Sequence, residues 1–323
     1  MAKKRSKKAK NSPKAKPKKQ TLNVQDYIRP LYMNGLQGRM LRMPAPKDRN
    51  REILLVYGHH STLERWWGVI QDLNQYGAVT VPDLPGFGGM ESLYKIGEKP
   101  DVDTLADYLA AFIKLRYKRR RVTIIGLSFG FVVVTRMLQK YPDIAKKTDL
   151  LASVVGFARH DEFTFSRLRM FLYRLGTRFF SHRLPAFWFR ALALHPLVIK
   201  TVYGRTYNAR HKFKQAGAKY SELMDFEVHL WHVNDVRTHM YTSAEFLKLD
   251  NCTRKVDLPL WHVAVKKDRY FDNDIVEQHL RVIFSEVHVV KSRMSDHAPS
   301  IIASVEEAAP VIPQKLRRVL EKS

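Results

Sequence analysis

From residue 51 onward, short apolar runs rich in β-branched residues alternate with longer amphipathic stretches, the pattern of a mostly parallel sheet covered by helices. Residues 53–57 read as a buried strand. Leu63, Trp66, Trp67, Ile70 and Leu73 then recur at helical spacing, and residues 78–81 read as the next strand. A helix is predicted over 103–115 and a strand over 121–125. An apolar helix follows to about Lys140, where Tyr141-Pro142 closes it. Residues 151–156 give one more strand. From about Ala158 to Met240 the alternation stops, and Arg, Phe, Trp and Leu dominate without strand character. That stretch is expected to form an inserted helical cap over 158–240, on an α/β core built from 21–157 and 241–323. Strand character returns at 260–265 and 286–290, with a helix near 274–284 between them, and a short helix is predicted over 314–322.

One position interrupts this pattern in a way that carries chemistry. In Gly126-Leu127-Ser128-Phe129-Gly130 a lone serine stands between two glycines, with a strand before it and a helix after it. Such a strand–turn–helix corner is the G-x-S-x-G nucleophile elbow, in which a crowded backbone exposes the hydroxyl. A serine hydroxyl is a weak nucleophile near neutral pH, so it needs a histidine base and an acid that holds the imidazole in the right tautomer. Asp268 follows the strand at 260–265, and His297 follows the strand at 286–290, within Ser295-Asp296-His297-Ala298-Pro299. All three candidates fall at the C-terminal ends of strands, where open parallel sheets place their sites. Asp161, after the strand ending near Gly156, is the alternative acid. His288 lies within a strand and reads as structural, and Asp83 reads as fixing its turn by side-chain bonds to backbone.

These motifs, with Tyr57-Gly58-His59-His60 and Val81-Pro82-Asp83-Leu84-Pro85-Gly86-Phe87-Gly88, give the chain a resemblance to the α/β-hydrolase family over about residues 50–310. The order Ser, Asp, His is the family's order. The resemblance implies an oxyanion hole made by the backbone N–H groups of His59 and Phe129, no cofactor, and serine-based cleavage of carboxylic esters. Relatives with this scaffold also cleave carbon–carbon, amide and thioester bonds or transfer groups. Serine at the elbow sets the chain apart from the epoxide hydrolases and haloalkane dehalogenases, which use aspartate there. Three places depart from the family pattern: Phe131 stands where a second glycine is common, Tyr57 where a histidine usually precedes Gly58, and Val265-Lys266-Lys267 runs into Asp268 where a glycine often comes shortly before the acid. His59 and His60 lack a third ligand at recognisable spacing, so no metal site is expected.

Composition and charge add partners to this picture. The 323 residues, 45% of them hydrophobic, can bury a large core. One cysteine, Cys252, excludes an intramolecular disulfide; with no apolar leader at the N-terminus, a reducing cytoplasm is expected. No run is apolar enough for a spanning helix. Of the formal net charge of +25, ten units sit in residues 1–20, which hold no acidic residue and should be disordered. That tail is either a solubilising extension or an attachment to RNA or to an anionic membrane surface. In the cap, Phe171, Leu175 and Phe179 fall at i, i+4 and i+8, beside Arg167, Arg174 and Arg178. An ordinary helix of this kind packs its apolar side on the core; the sharper alternative is an interfacial helix meeting anionic lipid. The aromatic and leucine-rich cap suggests a pocket for an apolar acyl group. A non-catalytic binding protein, recruited to RNA or membrane by the tail, is the reading from another class.

Overall fold

Aliphatic runs become the interior strands of one sheet. The computed structural model describes residues 22–203, 220–294, 297 and 304–322; the tail expected over 1–20 lies outside the described residues. The strands are β1 (Ile28–Met33), β2 (Leu36–Met43), β3 (Glu52–Val56), β4 (Ala78–Pro82), β5 (Val122–Leu127), β6 (Thr148–Val154), β7 (Val256–Ala264) and β8 (Phe284–Lys291). They lie side by side in the order β1-β2-β4-β3-β5-β6-β7-β8, antiparallel at β1/β2 and β2/β4 and parallel from β4 through β3 to β8. Every residue of β3, β4 and β5 is buried, as a parallel sheet covered on both faces requires. Each fully buried Ile or Leu there contributes about 1.5–3 kcal/mol.

Helices α1 (Trp67–Asn74), α2 (Val102–Tyr117), α3 (Phe129–Lys140) and α4 (Pro142–Lys147) connect the strands up to β6. Asp101 caps α2, its Oδ1 accepting from the Thr104 amide at 2.8 Å. Pro142 does more than end a helix: it occupies the first position of α4, where a missing N–H is harmless. Between β6 and β7 come α5 (Arg167–Phe180), α6 (Arg183–Trp188), a π-helical turn at Phe189–Ala193, α7 (Pro196–Tyr203), α8 (Tyr220–Val233) and α9 (Val236–Phe246). The boundary expected at residue 240 thus falls inside α9. After β7 follow α10 (Asn273–Ile283), β8, α11 (Val305–Ala308) and α12 (Gln314–Glu321). Arg317 ties α12 to α1, its two terminal nitrogens on Asp72 at 2.7 and 2.6 Å.

Two findings differ from the sequence reading. The hairpin β1–β2 adds an antiparallel edge, turning at Asn34-Gly35 with both residues at positive φ (53° and 75°). And α5 does not pack its apolar side on the core, because the residue it buries is Thr177 while Leu168, Phe171, Leu172, Leu175 and Phe179 are exposed.

Candidate active site

The elbow is built by close approach. Ser128 holds φ 48° and ψ −118°, outside the ordinary regions for an L-residue, and Val132 and Phe131 donate to its carbonyl as α3 begins. A Cβ on Gly130 would lie 2.2 Å from the Val56 carbonyl oxygen and 2.4 Å from that of Tyr57, so only glycine lets α3 start against the end of β3. Phe131, in place of a glycine, is accommodated from the other side: a Cβ on Gly156 would stand 2.4 Å from its Cδ1.

The sheet then brings distant residues to Ser128. Strands β5, β6, β7 and β8 are adjacent and parallel, so the loops after β5, β7 and β8 emerge at one edge. His297 Nε2 lies 2.8 Å from Ser128 Oγ, across 169 positions of sequence. His297 Nδ1 lies 2.6 Å from Asp268 Oδ2. The other carboxylate oxygen of Asp268 accepts from the amides of Tyr270 at 2.8 Å and Phe271 at 3.2 Å, which fixes its orientation. The Asp268 side chain is 3% exposed and that of His297 10%, so this contact is shielded from water. The loop leading to His297 is pinned by Ser292: its amide donates to Ala264 O at 2.7 Å, and its hydroxyl donates to Pro310 O and accepts from the Met294 amide.

The other candidates separate. Asp161 sits on the surface, 3.5 Å from Arg159 and 4.0 Å from His279; the acid on His297 is Asp268, not Asp161. The acidic neighbour that is buried beside Asp161 is Glu162, whose carboxylate accepts from the Ala158 amide and meets His279 at 2.7 Å. His288 stacks on Trp261, ring centroids 4.5 Å apart, and stays out of the site. Phe129 is the first residue of α3, so its amide has no partner within that helix. Gly58 precedes His59 directly and packs on the elbow, a Cβ there falling 3.2 Å from Ser128 Cβ. Among the described residues no group of three or more His, Cys, Asp or Glu could hold a metal ion.

Around Ser128 and His297 lies a cavity of about 390 Å³. Trp66, Phe157, Phe163, Phe165, Phe246 and Phe271 give it an aromatic wall, and Arg65, Arg169, Arg269 and Glu227 add charge. Strain gathers here. His60, Ser128 and Val155 all line the cavity with positive φ (52°, 48° and 47°), and for a β-branched residue such as Val155 this is a conformation held only by its surroundings. Burial pushes the His59 imidazole well below its usual range, helped by His239 and His60; His239 is pushed down to about 4 by burial. His59 therefore stands as a neutral ring, its Nε2 2.7 Å from Thr242 Oγ1.

Sequence reasoning left out what anchors the strand end before Gly58. The Tyr57 hydroxyl donates to the buried Asp83, which also accepts from Arg39 Nε at 3.1 Å, while Arg39 reaches Glu64 at 2.7 Å. Asp83 thus bonds to side chains, not to the backbone of its turn. Burial holds its carboxyl well above the carboxylate range, opposed by Arg39. The available signal was Tyr57 itself, a polar tip directly after the apolar run at 53–56. Nothing local in the sequence marks the partner, 26 positions on.

The comparisons agree with this architecture. Residues 53–188 match the family model for the alpha/beta hydrolase fold. No curated protein sequence matches the chain. Among solved structures, a hydrolase from Oleispira antarctica superposes with a TM-score of 0.64 at 13% identity, covering 88% of this chain and 94% of that one. A thermophilic esterase from Thermogutta terrifontis gives 0.56 at 15% identity, over 91% and 94% of the two chains. An enol-lactonase from Burkholderia xenovorans gives 0.57 at 13% identity, over 82% and 91%. At such identities the likeness speaks for the fold. With its mostly parallel eight-stranded sheet and its matching segment, the chain is an α/β-hydrolase-fold protein.

Proposed function

We propose that this protein is a serine hydrolase that cleaves carboxylic esters with an apolar acyl group, through an acyl-enzyme on Ser128. The observation that carries the reading is the unbroken chain of contacts from Ser128 Oγ through His297 to Asp268, at 2.8 and 2.6 Å. His297 Nε2 takes the hydroxyl proton as Oγ attacks the ester carbonyl, and Asp268 stabilises the imidazolium that forms. The tetrahedral oxyanion is received by the amides of His59 and Phe129, each such donor being worth about 3–4 kcal/mol in the transition state. Collapse expels the alcohol, which leaves with the proton from His297. Water then enters, gives a proton to His297 and attacks the acyl carbon, and collapse returns that proton to Ser128 Oγ and releases the acid.

The aromatic wall supports an apolar acyl group, and the volume of about 390 Å³ suits a ligand of small to moderate size. The neighbours named as an esterase and an enol-lactonase point the same way, since a lactone is a cyclic ester. A fluorophosphonate probe tests the proposal. The folded wild-type chain is expected to label, and Ser128→Ala to lose the label completely. A folded wild-type chain that does not label overturns the reading in favour of a non-catalytic binding protein. A series of p-nitrophenyl esters of increasing acyl length then locates the preferred substrate.

A further inference from the structure

The helical segment between β6 and β7 buries a small core of Ala186, Leu194, Ile199 and Val236, yet carries many of its large apolar residues on the outside. At 100° per residue, Leu168, Phe171, Leu172, Leu175 and Phe179 of α5 fall on one stripe, on the side opposite the buried Thr177. Their exposures are 69, 62, 57, 59 and 56%, inverting the usual arrangement in which the stripe faces the core. The pattern continues into α6 and beyond. Leu184, Phe187, Trp188, Leu192 and Leu197 are 71, 60, 57, 64 and 70% exposed, and the Phe180 and Phe189 rings, 4.6 Å apart, join the two parts. An apolar surface this extensive marks a docking face.

Charge identifies what it meets. Residues 163–203 hold six Arg and one Lys and no Asp or Glu. Lys200 is paired with Asp225 of α8 at 2.7 Å, but Arg167, Arg174 and Arg178 are exposed along one flank of the stripe, about 100° from its centre. Aromatic and leucine side chains beside a row of arginines suit the boundary between acyl chains and anionic headgroups. A second copy of the chain fits less well, because a two-fold contact through this face would set arginines against arginines.

We propose that this face docks on an anionic lipid bilayer, with α5 lying in the interface. The side of the helix turned away from that stripe presents Arg169 and Tyr173 to the cavity that holds Ser128. The proposal does not depend on the hydrolytic reading, and its test reads binding alone.

Full-length protein is sedimented with vesicles of phosphatidylcholine alone or with about 30 mol % phosphatidylglycerol. Wild type is expected to bind the anionic vesicles at least about tenfold more tightly, and Leu172→Asp/Phe179→Asp to lose about tenfold of that affinity with its thermal midpoint unchanged. Brominated lipid should quench wild-type fluorescence, and Trp188→Phe should remove much of that quenching. Equal binding of the double variant overturns the proposal by assigning the attraction to residues 1–20. Failure to bind vesicles, with a self-association in solution that the double variant abolishes, overturns it in favour of a second copy.

Discussion

Replacing Asp268 by Asn would put an amide against His297 Nδ1 and favour the wrong tautomer for proton transfer from Ser128. Ester turnover is expected to fall by about three to four orders of magnitude. Asp161→Asn, which disturbs only surface contacts with Arg159 and His279, should leave the rate within about twofold; steady-state rates of the two variants decide between them. Ser128 permits a second test at this scale. Its φ of 48° is a conformation L-residues rarely adopt, so Ser128→Gly should be more stable than Ser128→Ala by about 1 kcal/mol, although neither has a hydroxyl. Equal urea midpoints would mean that the elbow stores no strain. Ser128, Asp268 and His297 were all legible in the sequence, because each is a chemical residue type at the end of an apolar run. The strain at Val155 was not, since nothing in the composition of a strand end encodes a positive φ imposed by its neighbours.

Elements come next, and here the Tyr57 anchor matters. Directly after β3, the Tyr57 phenol donates to the buried Asp83, in the turn after β4. Tyr57→Phe removes that donor and leaves the carboxyl with Arg39, so stability is expected to fall by about 1–3 kcal/mol, read by chemical denaturation. The interior strands announced themselves because β3, β4 and β5 are buried on both faces and mostly apolar. The β1–β2 hairpin is less legible for the opposite reason. β1, at the edge, carries Pro30 and exposes much of its length, and β2, although paired on both sides, mixes Arg39 and Arg42 with apolar residues. Its one clear signal is the Asn34-Gly35 turn. For α5 the periodicity gave the helix and its two faces, but periodicity is silent on which face turns inward. Only the burial of Thr177 settles that.

At the scale of the whole molecule, buried histidines make stability depend on pH. His262, in β7, is 2% exposed and 3.1 Å from Ser153 Oγ, and burial lowers its imidazole to about 4. In an unfolded chain a histidine protonates near 6.5, so between these values the unfolded state binds more protons than the folded one. The contribution is fully present above about pH 6.5 and is lost as pH falls toward 4, amounting to about 3 kcal/mol from this residue. Urea midpoints measured from about pH 7 down to about pH 4.5 should fall, and His262→Gln should flatten the fall. An unchanged slope in that variant would assign the effect to other groups.

The long span between Ser128 and His297 has a consequence for synthesis. The bent serine belongs to the first half of the chain, but its base arrives only after β8 has been added to the far side of β7. A nascent or C-terminally clipped polypeptide would therefore own the alcohol without anything to deprotonate it. Reactivity toward acyl groups would switch on only at completion, sparing half-made chains from acylation.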